Sequence, residues 1–400
     1  MHTSSFASFL LQAALLTTVT GRPSACKAAL QPGKAVYLIT NDRDNAVVGL
    51  RVLENGMLSG GAVASTQGSG SNFVDGMTKQ PAAPDALASQ SALTVAGKHL
   101  FAVNAGSNTI TMFTIDPADP TKLTMAGQPA AVPGEFPNTV AANKKHQLVC
   151  VGTSGAKAGV SCASFSERGI GAMDALRPID LKQTTPPAGP TNTLSQAFFS
   201  NDEKTLFVTV KGDPTKQNAG FLAAYQVDNG NATAGLSLEG TRSSPNGTAV
   251  LFGSSTIPGS SDLFVTDASF GAAVLSVHSS PISASIKGMG KVADQKATCW
   301  ATISAATKTA FVTDVGKNRL IEMSVQDASI QGVIDLSSNG DPGLIDLRAA
   351  GNFIYALSPG NGTTQAAITV VDALSKKQIQ HFNLGCLGAG KNAQGMEVFL

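Results

Sequence analysis

The sequence predicts an all-β protein, a seven-bladed β-propeller closed by its own C-terminal strand. Three observations carry this prediction. A short strand text recurs seven times, a second apolar strand follows each copy, and the chain ends on a strand that lacks a local partner.

The recurring strands are AVYLIT (35–40), HLFAVN (99–104), QLVCVG (147–152), TLFVTV (205–210), DLFVTD (262–267), TAFVTD (309–314) and NFIYAL (352–357). Aromatic and β-branched residues dominate them, as a pleated and packed surface favours. Their third residues, from Tyr37 to Ile354, recur at intervals of 43 to 64 residues. That spacing is close to one four-stranded propeller blade, about 40–50 residues. The strands that follow are AVVGLRV, TITMFTI, GVSCASF, FLAAYQV, AAVLSVH, RLIEMSV and AAITVVD. They alternate or run apolar throughout, as strands covered on both faces do. Turn signals such as ENG at 54–56 and DPAD at 116–119 separate the units. A long helical period is absent, which argues against βαβ units.

A propeller must close its ring and hide its sheet edges. The first unit begins directly at its second strand, and the C-terminal NAQGMEVFL has no neighbour to pair with. Residues 394–400 therefore supply the innermost strand of the first blade. The five cysteines stand at 26, 150, 162, 299 and 386. Cys150 and Cys162 sit nearly symmetrically about one hairpin turn, and a Cys26–Cys386 bridge would staple the closure. Several pairings remain open from sequence alone. Residues 66–90 are the longest insertion, and their Gly, Ser, Pro and Ala content reads as a loop over one rim.

Residues 1–21 read as a secretory signal peptide, with an apolar core from Phe9 to about Leu16 that is too short to span a bilayer. Residues 22–400 then form the single propeller domain. Three sequons, at Asn231, Asn246 and Asn361, are glycosylation candidates on an exported chain. Charged residues are only 14% and the net charge is +1, so nothing electrostatic points to nucleic acid or an anionic membrane. These features predict a secreted, extracellular or cell-wall monomer without a membrane span.

Polar residues cluster in the loops between second and third strands: Arg43, Lys211, Asp267, Asp314 and Arg319. They could ring one mouth of the channel and hold a small acid or sugar, or simply serve as turn residues. His99 and His146 lie in turns with no residue evident to orient them as bases. No Cys/His grouping has metal spacing, and no phosphate-binding loop is present. No metal and no cofactor is expected.

The segment SQAFFSNDEKTLFVTV (195–210) and the closing QGMEVFL resemble the seven-bladed lactonase family. This family includes the bacterial 6-phosphogluconolactonases and the fungal 3-carboxy-cis,cis-muconate lactonizing enzymes, also called carboxymuconate cyclases. The resemblance spans most of 33–400 and implies lactone chemistry in the central channel. The family's first inner strand often carries a His, or an Arg–His pair, aimed at that channel. Here Ser195 stands where that His would be in the fourth unit, followed by a retained Gln196, and the comparable places of the sixth unit hold Cys299 and Trp300. These four are channel candidates. Trp300 could stack on a ring or fill space between blades; Cys299 could be a nucleophile or an inert thiol. Two functions follow as expectations. The protein binds, and converts, a small lactone or organic acid as a lactone hydrolase or cyclase/isomerase. Alternatively it is a non-catalytic binding or adhesin protein whose partner is a small molecule or glycan.

Overall fold

Ala35–Ile39 is apolar at every position because its two faces meet different neighbours. Val36 and Leu38 pack into a cluster shared with the last two blades, whereas Ala35, Tyr37 and Ile39 pack toward the second and third. The same division repeats around the ring: five buried clusters lie between successive blades. Each blade therefore needs a neighbour on both sides, which is why the hairpin text recurs.

The structure, a computed structural model, describes Met1, residues 30–229 and residues 234–400. The expected signal peptide, Cys26 and Asn231 lie outside the described residues. Seven antiparallel sheets of four or five strands form the blades. In the first, the order from the axis outward is Gln394–Phe399, Ala35–Ile39, Ala46–Val52 and Leu58–Ser65. The C-terminal strand thus closes the ring as expected, pairing Phe399 with Ala35 and Gln394 with Ile39. The innermost strands of the other six are Leu93–Ala96, Pro137–Asn143, Leu194–Phe199, Leu251–Thr256, Thr298–Ile303 and Ile345–Ala350. Only short 3-10 turns supplement the strands among the described residues. No helix there is long and apolar enough to cross a membrane.

Cys150 and Cys162 face each other directly across their strand pair and form the expected disulfide. Cys386 is exposed, and its proposed partner lies outside the described residues. Asn246 and Asn361 are exposed.

Two features position the site. First, six of the seven innermost strands carry a register shift against the second strand. Such irregularities re-aim side chains at a rim. Second, the 66–90 insertion is more than a rim loop. Its first part crosses the ring and makes a short parallel pair, Val74–Asp75 with Ala188–Gly189. Residues 85–90 then descend into the channel and are buried throughout. Composition alone hides this. The polar groups are buried only because partners far away in sequence satisfy them.

Candidate functional site

The channel divides into a plugged half and an open half. In the plugged half, residues 85–91 are pinned by hydrogen bonds to four blades. Ser89 Oγ donates to the Asn138 carbonyl at 2.6 Å, and Val140 N–H donates to the Ser91 carbonyl at 2.8 Å. Gln90 N–H donates to the Ser195 carbonyl at 2.8 Å. The Gln90 side chain meets Ala301 twice, giving to its carbonyl at 2.9 Å and taking from its N–H at 3.1 Å. Gly253 leaves room for this: a Cβ there would clash with Gln90 Oε1. Buried polar groups without such partners would each cost roughly 1–3 kcal/mol.

Most of the sequence-derived channel candidates belong to this half. Trp300 is fully buried; its ring meets Phe252 edge-on at 4.9 Å and its N–H donates to the Ser89 carbonyl at 3.0 Å. It therefore packs blades and holds the plug. Lys211 is also buried, with Nζ donating to the Ala88 carbonyl at 2.7 Å and Ser195 Oγ at 3.1 Å, over the Phe252 ring at 4.6 Å. Ser195 Oγ in turn donates to the Leu251 carbonyl. Burial pushes the Lys211 amine down and the nearby Asp85 carboxyl up, and each charge partly offsets the other's shift. Burial, with the Asp85 charge adding, lifts the Cys299 thiol well above its ordinary range. Cys299 is a protonated, packed thiol and a poor nucleophile.

Asp267 and Asp314, candidates for a ligand ring, are fully buried and engaged with backbone N–H groups. Asp267 accepts from Ala249, Val250 and Ser269, and Asp314 from Lys296, Ala297 and Gly316. The repeated TD at the ends of these strands is a turn-capping device. Arg319 reaches Asp314 Oδ2 at 3.4 Å and supports the same turn. Arg43 is an exposed loop residue of the first blade. Among the sequence-derived candidates, only Gln196 faces the open half.

The open half is a cavity of about 330 Å³ to which all seven innermost strands contribute. Its lining extends to the last residues of two of those strands, Phe199 and Ile303, and to Pro258 just beyond a third. Gln90 and Ser91 form its floor. Its charged groups are Arg348 and Glu397, neither of which the sequence reading singled out. Arg348 Nη1 donates to Asp346 Oδ1 and to the Leu347 carbonyl, both at 2.9 Å, and Nη2 donates to Ser91 Oγ at 3.3 Å. Nε lies 3.6 Å from Glu397 Oε1. Burial raises the Asp346 carboxyl to about 6 and also lifts Glu397, with the Arg348 charge opposing both. Burial disfavours the Arg348 cation, but the two carboxylates outweigh it. One cation between two acids leaves the cavity without net positive charge. Gln196, Ser254 and Thr302 supply neutral polar wall, and Ser254 Oγ has no hydrogen-bond partner among the described residues.

A pattern in the sequence does point to these residues. IDLRAA places an acid and a base two apart in one strand, and Glu397 is the single charge in the closing strand; the pairing shifts at Asp346, which has φ +47°, so their meeting depends on that bulge and not on strict alternation.

No family model and no curated protein sequence matches the chain. Solved structures do resemble it. The periplasmic gluconolactonase of Pseudomonas aeruginosa aligns with a TM-score of 0.63 at 13% identity, covering 91% of this chain and 99% of that one. A 6-phosphogluconolactonase candidate from Bacteroides uniformis aligns at 0.59 and 13%, covering 90% and 99%. A dihydro-haem d1 dehydrogenase aligns at 0.54 and 12%, covering 95% and 78%. Identities this low establish a shared propeller, including the lactonase type, and fold alone does not assign chemistry.

Proposed function

We propose that this propeller is an extracellular glycoprotein that holds a small neutral lactone in the open half of its channel. One observation carries the reading. Seven strands converge on a cavity near the lower end of small-molecule site volumes, roughly 300–1,000 Å³, and a guanidinium there is flanked by carboxylates. A neutral ring rich in oxygen acceptors can take hydrogen bonds from Arg348 and the hydroxyls. An ionised organic acid would meet Glu397 in the cavity wall, while the buried Asp346 already pairs with the one cation there, and like charges in a desolvated site repel strongly. This narrows the expectation from lactones and acids to lactones. The lactonase names among similar structures support the ligand class, and the disulfide and exposed Asn246 and Asn361 support the extracellular setting. Conversion of the ring would use Glu397 to move a proton, which its raised affinity for protons favours.

The test is calorimetric titration with δ-valerolactone and with its ring-opened anion, 5-hydroxypentanoate, followed by an assay for ring opening. The lactone binds wild type and the anion does not. Arg348→Lys, which keeps the charge and loses the planar fork, weakens the lactone about tenfold. Tighter binding of the anion, or no binding of either, would overturn the reading.

A further inference from the structure

We infer that the Ser91 hydroxyl is the specificity-determining donor of the cavity, giving its proton to the carbonyl oxygen of the bound ring. This rests on the lactone reading above and assigns its recognition to a residue of the channel plug. A serine hydroxyl has one hydrogen to give and two lone pairs to receive. Both lone pairs of Ser91 are engaged: Gln196 Nε2 donates to Oγ at 3.2 Å and Arg348 Nη2 at 3.3 Å. Among the described residues no acceptor takes its hydrogen. The two N–H groups occupy the receiving side of the oxygen, so the hydrogen is directed away from them. Ser91 lines the cavity, which places an unspent donor on its floor. A ligand seated on this floor excludes solvent from it, and a donor left unpaired there would then be costly, so a ligand acceptor facing Ser91 is favoured over a ligand without one.

The position is held, not chosen by the serine. Ser91 has φ +64°, in the left-handed region that non-glycine residues seldom adopt. Such a conformation persists only where its surroundings impose it. Here the Val140 N–H holds the Ser91 carbonyl, and the Gln90 side chain holds Ala301 one residue earlier. The floor hydroxyl is therefore preorganised by the plug, and Arg348 beside it supplies the second donor to the same oxygen. A carbonyl oxygen, with two lone pairs, accepts both; an ether oxygen in a saturated ring is the weaker acceptor.

Calorimetric titration of the full chain with δ-valerolactone and with tetrahydropyran, the same ring without its carbonyl, tests this. Wild type favours the lactone. Ser91→Ala and Ser91→Gly, the second relieving the left-handed backbone, lose about tenfold in lactone affinity and leave tetrahydropyran unchanged. A purely structural role would weaken both rings alike. In wild type, the lactone slows hydrogen exchange at the Gln90 and Val140 amides, and tetrahydropyran does not. Undiminished lactone affinity in a variant that melts like wild type, equal loss of both rings, or unchanged exchange at those amides overturns the assignment while leaving lactone binding standing. Failure of wild type to bind the lactone overturns both.

Discussion

Replacing Trp300 separates the two roles a lone channel tryptophan could have. The side chain is fully buried, packs edge-on against Phe252, and donates to the Ser89 carbonyl of the plug. Trp300→Ala removes the largest buried side chain, about 3–5 kcal/mol, and orphans a buried carbonyl, about 1 kcal/mol more. Taking roughly 2.1 cal/mol/K per residue over a chain this long gives an unfolding entropy near 0.8 kcal/mol/K. The melting temperature therefore falls by about 6 °C, on the estimate that 5 kcal/mol is lost. Trp300→Phe keeps a ring against Phe252 and loses only the N–H and some volume, so it falls by about half as much. Differential scanning calorimetry with and without δ-valerolactone reads both variants. The ligand-induced rise in melting temperature survives in Trp300→Phe, because Trp300 supports the plug and does not line the cavity. A Trp300→Phe protein that melts like wild type yet loses the lactone response would refute this reasoning and place the ring on the ligand.

Two further predictions concern closure and the buried acids. Deleting residues 394–400 strips the inner strand from Ala35–Ile39 and removes the burial of Met396 and Val398; cooperative melting is lost, and an unchanged melting curve would contradict the closure. Asp346 binds its proton more tightly folded than unfolded, since burial lifts it from 3.8 to about 6. Its stabilising contribution is complete below about pH 4 and is lost as pH rises through about 6. Asp346→Asn is neutral at every pH, so wild type loses up to roughly 3 kcal/mol relative to it between pH 4 and pH 7. A wild type that instead gains stability over the variant as pH rises, measured by denaturant titration, has the wrong sign.

The strands were legible because each is buried on both faces, so AVYLIT or TLFVTV reads apolar whatever its neighbours. Closure was legible for a related reason: QGMEVFL is a strand with nothing local to pair with. The plug was not. Ala88, Ser89 and Gln90 have the composition of a surface loop, and their burial depends on partners 49 to 211 residues away. The site was misplaced as a consequence. Loop residues such as Asp267 and Asp314 look like ligand contacts until their backbone partners are seen, and Lys211 and Trp300 face the plug. The charges that reach the cavity, Arg348 and Glu397, lie inside strands, where a period of two marks their face but nothing marks the channel.

The most direct test of the whole account is a crystal structure of the protein soaked with δ-valerolactone. The account predicts one ring in the open half of the channel, with its carbonyl oxygen within hydrogen-bond distance of both Arg348 Nη2 and Ser91 Oγ and the plug still in place beneath it. A ring bound elsewhere, a displaced plug, or a carbonyl turned away from both donors would contradict it.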